Sequence, residues 1–151
     1  LNVRFVPGQS PRPMVLTHGQ TPPPDGWMRS EEGALPATML HPSDALGSIA
    51  MKAWAETGHN THCMDAPWPT GPWWHAMKAD LACAAILVEG GATLAQHMLD
   101  TPFWNELHVL TAPGSLGQGL PAPAVPTWPP SKSMTMGEDL VEVWHPLSSH
   151  L

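Results

Sequence analysis

One segment constrains the fold more than any other. Residues 84–88 (Ala-Ala-Ile-Leu-Val) form an unbroken apolar run that ends on Glu89-Gly90-Gly91 and passes into a stretch with Leu94, Ala95, Met98 and Leu99 at helical spacing. An apolar run of that length, closed by glycine, predicts a strand covered on both faces, as in a parallel sheet. A strand that turns through Gly-Gly into a helix predicts an α/β layer. Such a junction sets backbone N–H groups and the positive end of the helix dipole at the carboxyl edge of the sheet, where glycines let an anion approach the backbone. The carboxylate of Glu89 stands on the same rim, able to accept hydrogen bonds from sugar hydroxyls or to steady a cation. By itself the junction also reads as a plain connection, and the GxGxxG dinucleotide fingerprint is absent.

The flanking sequence fits the α/β reading. Pro13-Met14-Val15-Leu16 is a short buried strand entered through proline, and residues 35–40 (Leu-Pro-Ala-Thr-Met-Leu) are a weaker strand candidate. Ser43 is placed to cap a helix carrying Ala45, Leu46, Ile49, Ala50, Ala53 and Trp54, which Gly58 would end. Residues 61–64 suit a short strand, residues 73–81 a helix, and 106–111 an alternating strand with Leu107, Val109 and Thr111 on one face. Residues 113–130 are a Gly/Pro-rich loop. Residues 139–144 (Asp-Leu-Val-Glu-Val-Trp) are a last strand.

Composition excludes several classes of function. With 151 residues the chain suits one domain. It carries a net charge of -7 and six basic residues, too few for the dense cationic face that nucleic acids require. A phosphate ligand must therefore be held by a few placed groups. No apolar run is long enough to span a bilayer, and no signal peptide is visible, so a cytoplasmic protein is expected. Two cysteines, Cys63 and Cys83, stand in no paired motif and read as reduced thiols. His59-x-x-His62-Cys63 invites a metal reading, but no second ligand cluster accompanies it and no metal is expected. Trp68, Trp73 and Trp74 read as packing or loop anchors rather than a base-stacking platform. No G-x-S-x-G elbow is present.

Several motifs, in order, carry a family resemblance. Val88-Glu89-Gly90-Gly91-Ala92-Thr93-Leu94 resembles the VEGG-x-x-L signature of the reductase domain of bifunctional riboflavin-biosynthesis deaminase/reductases. Trp104-Asn105-Glu106-Leu107 is similar to that family's V-D-E-L, with Asn105 in place of the aspartate. Residues 112–119 (Ala-Pro-Gly-Ser-Leu-Gly-Gln-Gly) resemble its A-P-x-L-L-G-x-G, and Gly137-Glu138-Asp139-Leu140-Val141 its G-x-D-[LV]. Leu1-Asn2-Val3-Arg4 looks like the tail of its D-D-P-x-L-x-V-R, and Pro13–Leu16 falls where it has a strand ending in Val-[IL]-Asp. The likeness is specific over residues 84–119 and thin over 21–80.

The resemblance implies a dihydrofolate-reductase-like fold, a mixed central sheet with flanking helices. It places Leu1 inside a family motif, so that residues 1–151 would be one reductase domain lacking its start and its first strand or strands. It implies NADPH as hydride donor and reduction of a phosphoribosylamino-pyrimidine to its ribitylamino form. Carried over residue by residue, Glu89 would bind substrate and act in catalysis, and Leu1 and Arg4 would touch substrate, with Arg4 at the ribose phosphate. Gly91, Ala92, Thr93, Leu94, Ala95, Gln96 and His97 would hold the cofactor phosphates. Thr17-His18 stands where the family has Asp-Ser, so His18 occupies a cofactor-contact position with a different side chain. The resemblance further implies a homo-oligomer and an N-terminal zinc deaminase domain. Two alternatives stay open: a relative reducing another pterin or pyrimidine, and an inactive truncated remnant.

Overall fold

The computed structural model describes residues 8, 11–18, 36–45, 47–64, 75, 77–79, 82–115 and 117–147. The chain divides into two compact units, Leu1–Asp80 and Leu81–Leu151.

The first unit is built on a parallel sheet. Strands β1 (Met14–Leu16), β2 (Thr38–Pro42) and β3 (Asn60–Met64) lie in the order β1-β2-β3, with Met14 opposite Thr38 and Thr38 opposite Asn60. The central strand is buried from Thr38 to His41, as expected of a parallel strand covered on both faces. Helix α1 (Ile49–Glu56) connects β2 to β3 and buries Ala50, Met51 and Trp54. Met51 and Trp54 meet Met39 of β2 in a small core, with Val15 of β1 against it.

The start of α1 differs from the sequence expectation. Ser43 opens a separate 3-10 turn, Ser43–Ala45. Gly47 then takes a φ of +80°, a conformation that cannot continue a right-handed helix. The helix restarts under Ser48, whose Oγ accepts from the N–H of Met51 at 3.2 Å. Ile49 is the first residue of this helix and lies off the face that Ala50, Met51 and Trp54 bury, 87% exposed. Gly58, at φ +82°, ends the helix as expected, donating its N–H to Ala55 O at 3.1 Å. Backbone at residues 75 and 77–79 is helical, inside the helix expected over 73–81.

The second unit is built on an antiparallel sheet. Helix α2 (Ala92–Leu99) precedes strands β4 (Leu107–Thr111), β5 (Lys132–Met136) and β6 (Asp139–Trp144), arranged in the order β4-β6-β5. Leu107 faces Trp144 across β4–β6, and Lys132 faces Val143 across β5–β6. Along β4, half-buried Leu107 and Val109 alternate with exposed His108 and Leu110, the period-two pattern read from sequence. Strand β5 has no counterpart in the sequence expectation. Its Lys-Ser-Met-Thr-Met sequence is exposed throughout, so it lacks the alternation of hydrophobicity that marks a half-buried strand. A two-residue turn joins β5 to β6, with Gly137 at φ +66° in its first central position, where hairpin turns favour glycine.

The apolar run 84–88 is not a strand. It belongs to no sheet, and Leu87 is 78% exposed. A strand needs a ladder partner as well as apolar side chains, and no described strand pairs with this run. The expected α/β class holds, with parallel and antiparallel pairing both present; the two kinds of pairing occupy separate three-stranded sheets. No described helix is long and apolar enough to cross a membrane.

Candidate functional site

The Glu89-Gly90-Gly91 junction runs as extended, irregular chain straight into α2. Gly91 is the N-cap residue, with φ -63° and ψ 162°, and has no side chain to cap the helix. The first hydrogen bond in the helix runs from Ala95 N–H to Gly91 O at 3.1 Å. The N–H groups of Ala92, Thr93 and Leu94 thus lie ahead of the intrahelical ladder, in the turn where a helix has donors to spare. A Cβ added at Gly91 would meet nothing within 4 Å, so the approach to this helix end is open. At Gly90 the same addition would come within 3.0 Å of Leu94 Cδ2. Leu94 therefore folds back under the junction and fixes how the chain enters the helix.

The expected cofactor residues divide by environment. Gly91, Thr93 and His97 are exposed, whereas Ala92, Leu94, Ala95 and Gln96 are half-buried. Gln96 is engaged on both ends of its amide: Nε2 donates to Asp100 Oδ1 at 2.8 Å, and Oε1 accepts from Ala124 N–H at 2.8 Å. It thereby ties the Pro-rich segment to the helix. Glu89 is exposed on the rim. His18 is exposed in the first unit, just past β1, where Thr17 N–H donates to Leu40 O at 2.9 Å. Leu1 and Arg4 lie outside the described residues, as do Trp68, Trp73 and Trp74. A shallow depression of about 260 Å³ is lined by Ser115, Gly117, Gln118, Gly119 and Leu120, within the segment that carries the A-P-x-L-L-G-x-G resemblance.

The structure also assembles a polar chain that sequence reasoning missed. Glu106, just before β4, receives His108 on Oε1 and His145 on Oε2, the latter at 3.2 Å. His145 Nδ1 meets Ser131 Oγ at 2.8 Å. The hydrogen bond from His108, with further help from His145, holds the Glu106 carboxyl below its usual range. Glu106 and His108 are near neighbours in sequence, but His145 lies 39 positions from Glu106 and 14 from Ser131, so no local motif could announce the whole chain. Among the described residues, no group of three His, Cys, Asp or Glu side chains is arranged to hold a metal ion.

Two comparisons bear on these findings. The family model for the RibD C-terminal domain matches residues 74–141, which include the Glu89-Gly90-Gly91 junction, α2, β4 and the β5–β6 hairpin as far as Val141. No curated protein matches the chain.

Proposed function

We propose, from the match of residues 74–141 to the RibD C-terminal domain model, that the protein is a reductase of riboflavin biosynthesis that uses NADPH to reduce 5-amino-6-(5-phosphoribosylamino)uracil to its ribitylamino form. One observation carries the reading. Helix α2 begins on a glycine with no capping side chain and open space around it, directly after an exposed glutamate. That arrangement suits a phosphate at the helix end and a sugar beside the carboxylate.

The residues present fit a phosphate-bearing cofactor. Gly91 admits close approach, and the first-turn N–H groups of Ala92, Thr93 and Leu94 are the donors that would face its phosphates. NADPH, when bound, supplies the hydride. The protein's own part is positioning and electrostatics. Glu89 would hold the ribose hydroxyls by accepting their protons in hydrogen bonds. Its negative charge would favour a cationic, ring-opened imine on the substrate over the neutral sugar. Arg4 would hold the ribose phosphate through charge-assisted hydrogen bonds. A fused deaminase domain and a second copy of the chain complete this reading as partners. A relative reducing another pyrimidine shares the Glu-Gly-Gly junction and differs in its need for Arg4.

Fluorescence titration tests the cofactor assignment: NADPH should bind at roughly micromolar concentration or tighter, and NADH more weakly. Equal affinity for the two would overturn it. Glu89→Gln keeps the shape and removes the charge. It should lower kcat/KM by roughly 100-fold while leaving NADPH affinity nearly unchanged. An unchanged rate would remove Glu89 from the mechanism.

A further inference from the structure

The amide of Gln96 is held at both ends, and its direction carries information. Its Nε2 donates to Asp100 Oδ1 at 2.8 Å, and its Oε1 accepts from the N–H of Ala124 at 2.8 Å. A carboxylate can only accept and a backbone N–H can only donate, so the two partners together allow one orientation of the amide. Helix side chains lean toward the N-terminus by default. Gln96 is instead drawn toward Asp100, the C-cap of α2, and away from the N–H groups of Ala92, Thr93 and Leu94 that begin the helix. A carboxylate at a helix C-terminus faces the negative end of the dipole, and the bond from Gln96 one turn earlier offsets that cost. A phosphate brought to the Gln96 amide would meet the charge of Asp100 and be repelled.

The other end of the tether is stiff. Ala124 lies in Leu120-Pro121-Ala122-Pro123-Ala124-Val125-Pro126. Proline fixes its own φ and restricts the residue before it, so alternate prolines make a semi-rigid strut. Proline also has no N–H, which leaves Ala124 as one of the few donors the strut can offer. Farther on, Trp128 is fastened to the sheet. Its indole Nε1–H donates to His145 O at 3.1 Å, and its carbonyl accepts from Trp144 Nε1–H at 2.9 Å. Its ring stacks on Trp104, with centroids 6.3 Å apart and planes inclined by 10°. In the other direction the strut leads to the loop that carries Gly114, Gly117 and Gly119 and lines the shallow depression. There Ser115 Oγ accepts from Gly117 N–H at 3.2 Å, and Gly117 takes a φ of +78°. A Cβ added at any of these three glycines would meet nothing within 4 Å, so the loop presents open backbone.

We propose that Gln96 is a positioning residue and not a phosphate ligand: through Ala124 it latches the Gly-rich loop after β4 to helix α2, and so fixes that loop beside the cofactor site. The inference rests on the reading of the α2 N-terminus as the holder of the NADPH phosphates. Asp100 orients the amide, Gln96 receives the strut, and the strut carries the loop. None of the three touches the cofactor.

Gln96→Ala removes both contacts. Exchange of the Ala124 N–H, followed by NMR in the protein without cofactor, should speed up by about threefold to tenfold, as for the loss of one ordinary hydrogen bond. The Kd for NADPH, read by fluorescence titration, should rise by a similar factor. The decisive variant combines Gln96→Glu with Asp100→Asn. The new carboxylate can still accept from Ala124, and the new amide donates back to it, so the latch is rebuilt with its polarity reversed and the net charge unchanged. Ala124 exchange and the Kd should both return to within about twofold of the parent. A residue in contact with phosphate would behave in the opposite way: a carboxylate in its place would repel the cofactor, and the Kd of the double variant would exceed that of Gln96→Ala. That result would overturn the positioning role. So would Ala124 exchange, or NADPH affinity, that ignores Gln96→Ala. A parent protein that binds no NADPH would overturn the cofactor reading and the loop's place beside that site, with the exchange rates still reporting the latch separately.

Discussion

Among the described residues the two units each carry a three-stranded sheet, and they put it to opposite uses. In the parallel sheet of the first unit, the central strand β2 is closed off, with Met39 and Leu40 fully buried. In the antiparallel sheet of the second unit, only the central strand β6 is buried in part, through Val141, Val143 and Trp144, while both neighbours are largely open. The difference follows from connectivity. A parallel pair needs a crossover, and the crossover helix α1 covers the sheet it connects. The β5–β6 hairpin needs only two residues of turn and brings no covering element with it. Stability should therefore concentrate in β2 and α1, and surface chemistry in the second unit.

The largest effect expected is at Leu40. Leu40→Ala should destabilise the first unit by about 2–5 kcal/mol, whereas Met136→Ala, at a side chain 62% exposed, should change stability by less than about 0.5 kcal/mol. Paired denaturant titrations would measure both, and equal losses would erase the contrast. His59 comes next. It is 7% exposed, and its Nδ1 accepts from the buried Ala37 N–H at 3.2 Å, joining the start of β3 to the start of β2. His59→Phe keeps an aromatic ring and orphans that N–H, at a cost of about 1–3 kcal/mol by the same measurement. Ser48→Ala should follow at about 1 kcal/mol, seen as fraying of α1 by hydrogen exchange.

The smallest effect sharpens the comparison from the other side. The Glu106 carboxyl is held below its ordinary range by His108 and His145, and a lowered acid contributes stability only while it is ionised. That contribution is present above the ordinary glutamate value and is lost as pH falls through the lowered one. The group is solvent-exposed, so the gain is small and salt-sensitive. Glu106→Gln should lower Tm slightly at about pH 6, and the difference from the parent should shrink as pH falls below the ordinary glutamate range. A difference that grows on acidification would contradict this sign.

Local sequence patterns located elements best where burial is one-sided. The alternation in β4, the valines of β6 and the glycine ending α1 were all legible, because a period of two or a single permissive residue encodes them. Ile49 fits the apolar period but is exposed, because the face that packs is the one carrying Ala50, Met51 and Trp54. Strand β5 was invisible because a strand exposed throughout carries no hydrophobic period.

What the sequence determined by itself was the order of chemistry along the chain: a glutamate, two glycines and a helix start in succession, within the segment that matches the RibD C-terminal domain model. Adjacent residues fix such a junction by their own torsional preferences, so it survives whatever the rest of the chain does. Only the tertiary structure decided that residues 84–88 pair with no described strand and that Glu106, Ser131 and His145 meet at one sheet end. Both depend on which strands pair. Pairing is a property of distant segments and their register, and no window of sequence contains it.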